Sequence, residues 1–81
     1  MKLTSELQCS QLAELIYLEC LKRGIKLAED ESDRENILES SAEYLLYEGS
    51  LKDPREIVDR VEKYVTETAQ NYPLYFEKGV E

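Results

Sequence analysis

Apolar residues recur every three to four positions in three stretches of this chain, with polar breaks between them. That is the period of an α-helix lying on a core, and no stretch alternates apolar and polar as a half-buried strand does. The first stretch opens at Thr4 or Ser5, where Ser5 and Gln8 make a capping-box pattern, and closes at Gly24. Lys22 and Arg23 fall in its last turn, where the helix dipole favours cations. Gly24-Ile25 has the form of a Schellman stop, with Ile25 folding back near Cys20. The second stretch takes Ser32 as cap and Glu35 as its box partner, and runs to Glu48 before Gly49. The third has Asp53 as cap, Pro54 as first helical residue and Glu56 at the box position. It ends near Asn71, because Pro73 disfavours helical geometry at Tyr72.

The pattern therefore predicts helices over about 5–23, 32–48 and 54–71, with 73–78 as either a short fourth helix or a hydrophobic tail. Short linkers at 26–31 and 50–52 make successive helices antiparallel neighbours. The expected fold is all-α: a small antiparallel bundle of three helices, or three plus one, in a single domain over 1–81. Its capping boxes and glycine stops are general helix grammar and identify no lineage.

The helices differ in what their faces ask for. On the third, Ile57, Val58, Val61, Tyr64, Val65, Thr68, Ala69 and Tyr72 share one face, the expected core, with Glu56/Arg60 and Asp59/Lys63 pairs opposite. The first carries two apolar arcs. Cys9, Leu12, Ala13, Ile16 and Cys20 make one, and Leu7, Leu15, Leu18 and Leu21 occupy much of the opposite side. A second arc needs a second cover, either the aromatic tail or another copy of the chain, so the bundle is expected to be dimer-forming through Leu7, Leu15, Leu18 and Leu21. The second helix turns Ile37, Leu38, Ser41, Ala42 and Leu45 toward the core.

Charge changes the picture most on that second helix. Residues 29–48 hold eight acids against the single base Arg34, a formal −7, where the whole chain of 81 residues is −8. Glu31, Glu35, Glu39 and Glu43 follow one another at i+4, roughly 6 Å apart along the axis. Such like-charge neighbours repel by a few tenths of a kcal/mol per pair (~0.2–0.5). Leu46 and Tyr47 project beside them, giving a leucine and a tyrosine with an acidic border, the make-up of many partner sites. The tail residues Leu74, Tyr75 and Phe76 either fold back onto the core or serve as a docking peptide.

Several chemistries lack their residues. The chain has no histidine, which removes Ser-His and Cys-His nucleophile pairs, imidazole metal ligands and four-helix di-metal sites. Its three glycines lie too far apart for a phosphate-cradling loop. An EF-hand reading of the acidic run fails because Arg34 or Glu35 stands where the turn glycine belongs. No catalytic set, cofactor or metal is expected. The acidic balance argues against direct binding to nucleic acid or anionic lipid. The longest apolar runs are four residues, Leu15 to Leu18 and Tyr44 to Tyr47, so no membrane span is expected. The amino terminus shows no signal-peptide core, and Cys9 and Cys20, about 16 Å apart along one helix, read as reduced thiols, so a cytoplasmic location is expected.

These features point to a non-enzymatic acidic module that occupies a basic surface of a partner protein. A nucleic-acid-binding enzyme or a toxin is the expected kind, since a cleft built for phosphates also accepts closely spaced carboxylates. The site residues would be Glu31, Glu35, Glu39, Glu43, Leu46 and Tyr47. The competing expectation is a homodimeric structural or adaptor bundle whose acidic face only confers solubility.

Overall fold

The computed structural model describes residues 5–48 and 54–79, with side chains over 9–47 and 54–79. The caps expected at Thr4, Ser5 and Asp53, the box residue Gln8 and the stop at Gly49 lie outside these residues and side chains. Four helices form: α1 (Ser5–Arg23), α2 (Glu31–Glu48), α3 (Pro54–Asn71) and α4 (Tyr75–Lys78). No strand occurs among the described residues. The all-α expectation is met, and the three-plus-one form of it is the one observed.

Helix α1 ends as its sequence requires. Gly24 takes a left-handed φ of 72°, its N–H donates to the Leu21 carbonyl at 3.1 Å, and the Ile25 N–H reaches the Cys20 carbonyl at 2.9 Å. Those two bonds define a Schellman motif, and Ile25 packs against the core beside it. Arg23 also pairs with Glu19 one turn back.

The start of α2 corrects the expected cap. Asp30, not Ser32, holds the first turn: its Oδ1 accepts the Asp33 N–H at 3.1 Å and its carbonyl accepts the Arg34 N–H at 2.9 Å. Ser32 is itself helical, two residues past the cap. An aspartate caps as well as a serine, and Glu31 and Asp33 behind it supply the negative charge that the helix dipole favours.

The core joins Leu12, Ile16 and Cys20 of α1, Ile37, Leu38, Ala42 and Leu45 of α2, Val61 and Val65 of α3, Ala28 of the linker and Phe76 of α4. Helix α1 packs on both α2 and α3, and α4 packs on α2 and α3. Ser41 is the one polar side chain fully inside among the described residues, and it is satisfied by the Tyr64 hydroxyl at 2.9 Å. On α3 the expected core face is too wide. Val58 and Tyr72 are exposed: Val58 lies to one side of the buried pair Val61 and Val65, and Tyr72 follows the last residue of α3.

The carboxy-terminal segment is part of the core. The Tyr72 N–H still bonds the Thr68 carbonyl, Pro73 and Leu74 then make a turn closed by Tyr75 N–H to Tyr72 carbonyl at 3.0 Å, and helix resumes at Tyr75 rather than at residue 73. Proline is well suited to the second position of such a turn. Phe76 is 1% exposed, and its ring meets Tyr64 and Tyr75 edge-on at centroid distances of 6.3 and 5.4 Å. Its carbonyl accepts the Ala28 N–H at 3.1 Å, while Lys26 and Glu77 form an ion pair at 3.6 Å. Gly79 ends α4 at φ 74°, where a Cβ would come within 3.3 Å of Ile37 Cγ1.

Two outcomes test this account. Asp30→Ala should lower stability by about 1 kcal/mol and Ser32→Ala should leave it within about 0.5 kcal/mol, read from urea midpoints. Phe76→Ala should cost about 3–5 kcal/mol, as much as a core of this size supplies, so its cooperative thermal transition should be lost.

Candidate functional site

The acidic row on α2 lies in solvent as expected. Glu31, Glu35, Glu39 and Glu43 are all exposed, and Tyr47, the next residue at i+4, is 90% exposed. Leu46 behaves differently from its neighbour: it is half-buried against the core, so the expected leucine and tyrosine pair is split, with only Tyr47 standing clear. The row drifts about 40° per step around the helix. Glu35 and Glu39 lie beside α1, and Glu43 is close enough to Cys9 of α1 to act on that thiol.

A second helix contributes to this surface, which the sequence did not make apparent. Glu14 and Tyr17 of α1 face Arg34, Glu35, Leu38 and Glu39 of α2 across a shallow groove. Glu14 thus adds a carboxylate from α1 to the two from α2. Arg34, the one base in residues 29–48, stands in the same groove: its guanidinium lies 5.9 Å from the Tyr17 ring centroid and donates to the Ala28 carbonyl at 3.4 Å. The sequence signal for the groove is the pair Glu14 and Tyr17, three residues apart on the flank of the core arc.

The second apolar arc of α1 is not covered by the tail. Leu18 and Leu21 are 51% and 52% exposed, Leu15 is exposed as well, and the side chain of Leu7 lies outside those described. Phe76 goes to the opposite part of the core, Tyr75 is half-buried and Leu74 is exposed, so only part of the expected docking segment is on the surface. Leu15 and Leu18 instead share a shallow groove with Val58 of α3, bordered by Glu19 and Lys22.

A third surface is concave. An open cleft of about 740 Å³ runs between α2 and α3 above α4, with Tyr44, Tyr64, Tyr72 and Tyr75 in its walls and floor. Tyr44 and Tyr64 stack obliquely with centroids 5.8 Å apart. Arg60, Lys63 and Glu67 stand along its α3 side. Tyr44, Tyr64 and Tyr75 belong to three different helices and Tyr72 follows α3, so no single helix displays the cluster.

Neither thiol is activated. Burial, with Glu19 beside it, pushes the Cys20 thiol up to about 12 against the opposing pull of Arg23. Cys9 is raised by burial, then by Glu43 and Glu39, and its Sγ lies 3.7 Å from the Glu39 carbonyl as a weak donor. Burial likewise pushes the Tyr64 phenol up to about 12. No group of three or more potential metal-binding side chains converges among the described residues, and no helix there is long and apolar enough to cross a membrane.

No family model, curated protein or solved structure matches this chain. Function is therefore argued from these surfaces alone.

The buried thiol and phenol make stability alkaline-sensitive. Cys20 and Tyr64 stay protonated in the fold above the ordinary values of 9.0 and 10.0, so the native state holds more protons than the unfolded chain between about 9 and 12. Their contribution is complete below pH 9 and declines as pH rises toward 12. Urea midpoints should fall across that window, and Cys20→Ala should make the fall shallower between about 9 and 10, where Cys9 is the remaining raised thiol and tyrosine has not begun to ionise.

Proposed function

We propose that this protein is a non-enzymatic binding module whose acidic α1–α2 surface occupies a basic surface of another protein and blocks it. The observation that carries this reading is the convergence of Glu14 with Glu35 and Glu39 across two helices, three carboxylates against the single base Arg34 that lies among them. Carboxylates from two helices make a surface rather than a single drifting row. Positive potential on a partner steers it to such a surface and gains from displacing counterions there, while the exposed ring of Tyr47 supplies an apolar anchor at the end of the row. A cleft that handles nucleic acid, in an enzyme or a toxin, has the matching chemistry. The module needs no cofactor for this, and its two free thiols suit a reducing cytoplasm.

A second reading, homodimerisation, is favoured by the exposed Leu15, Leu18, Leu21 and Val58. Over residues 9–23 Glu14 and Glu19 balance Lys22 and Arg23, so two copies can meet along α1 without the repulsion that two α2 faces would suffer. Such a dimer, held by apolar side chains, has little salt dependence. Binding of a basic partner weakens with salt.

One set of measurements separates the two. Capture from host lysate should retain a basic nucleic-acid-handling protein at low salt and release it at high salt. Changing Glu35, Glu39 and Glu43 to glutamine should weaken that partner by roughly tenfold to a hundredfold, from about 0.5–1 kcal/mol per charge. Retention that ignores both salt and the substitutions sinks the blocking reading. Light scattering on the same protein should give a dimer that Leu18→Glu converts to a folded monomer; a native chain that is monomeric at every concentration removes the second reading.

A further inference from the structure

We propose that a second copy of this chain covers the outer face of α1, with the two α1 helices antiparallel and Leu18 of each at the two-fold axis. This rests on the dimer reading above and goes beyond it by assigning the register. The face consists of Glu14, Leu15, Leu18, Leu21 and Lys22, all exposed. At about 100° per residue they fall within roughly 60° to either side of Leu18, on the side of α1 opposite the buried Ile16 and Cys20. Val58 of α3 is exposed beside Leu15 and Leu18 and widens the apolar strip.

The order of residues on this face selects its occupant. Leu15 and Leu21 lie about 4.5 Å along the axis to either side of Leu18, and Glu14 and Lys22 lie about 6 Å to either side. Read in the reverse direction, the apolar positions coincide and the charges exchange sign. Such a face is complementary to itself: turned about Leu18, it sets Leu15 level with Leu21 of the second copy and Glu14 level with Lys22, each twice over. A parallel pair would instead set Glu14 against Glu14 and Lys22 against Lys22. A slip of one turn would bring Leu18 level with a charged residue, Glu14 or Lys22. Glu19 is already paired with Arg23, whereas Glu14 and Lys22 have no ion pair among the described residues.

The two flanks of the face differ. Glu14 and Tyr17 border the groove shared with α2, while Leu15, Glu19 and Lys22 border the groove shared with α3. An antiparallel two-fold returns each flank to its own kind, so both acidic α1–α2 grooves open on one side of the pair and both α3 helices lie on the other. Dimerisation therefore doubles the acidic surface on one side rather than dividing it between two.

Sedimentation equilibrium of the full chain tests the register with Glu14→Lys, Lys22→Glu and the variant carrying both. Each single substitution breaks two symmetry-related pairs and should weaken the dimer about tenfold, and the double variant should regain native affinity to within about threefold. Net charge alone would act with opposite sign in the two single variants, since one lessens and the other deepens the −8 of the chain. Both positions are exposed, and circular dichroism verifies that every variant is folded. The register is overturned if the single variants dimerise as the native chain does, which a parallel pair predicts, or if the folded double variant stays weak. A native chain that is monomeric at every concentration overturns the dimer reading together with the register.

Discussion

Phe76 closes a gap that the three long helices leave open. Both α2 and α3 pack on α1, but among the described residues they approach each other little, and a bundle of this length has no fourth long helix to fill the space. One aromatic side chain from a four-residue helix does so. Burying a phenylalanine stabilises by roughly 1.5–3 kcal/mol, a large share of what so small a core supplies. The ring also sets its neighbours: Tyr64 is edge-on to it and ties α3 to Ser41 of α2, while the Phe76 carbonyl holds the linker through Ala28. Separate elements thus share one contact, and the cleft above α4 exists because that contact keeps α2 and α3 apart at a fixed distance.

Much of the helical plan was legible from residues whose effect is local. Gly24 and Ile25 specified a stop that forms as its two carbonyls require, and the α2 positions from Ile37 to Leu45 lie inside as their spacing implied. What was not legible depended on distant partners. Asp30 and Ser32 are both competent caps, and the choice between them follows the path of the linker, which a residue in α4 fixes. Val58 and Tyr72 lie within the apolar arc of α3, but periodicity gives the centre of a face and not how far its neighbour reaches. Phe76 sits in an element too short to have a period at all.

The candidate surfaces divide in the same way. The glutamate row belongs to one helix and could be read along it, whereas the part played by Glu14 depends on how α1 lies against α2. The tyrosine cleft draws on three helices and has no counterpart in any local pattern. Energetics explain why such surfaces coexist with the fold. Repulsion along the acidic row amounts to tenths of a kcal/mol per pair, against about 1.5–3 kcal/mol for each large apolar side chain that α2 buries. The inner face of α2 secures the helix, so its outer face is free to carry a charge pattern that would destabilise an isolated peptide.

The bond between Ala28 and Phe76 also orders events during synthesis. A ribosome adds roughly 5–20 residues per second, so the linker emerges seconds before the ring that anchors it. During that interval α1 and α2 can pair through Leu12, Ile16, Leu38 and Leu45, but the cavity meant for Phe76 stands open to water. The nascent chain is therefore vulnerable to proteases and to self-association until α4 appears, and a pause in translation ahead of residue 76 would lengthen that exposure.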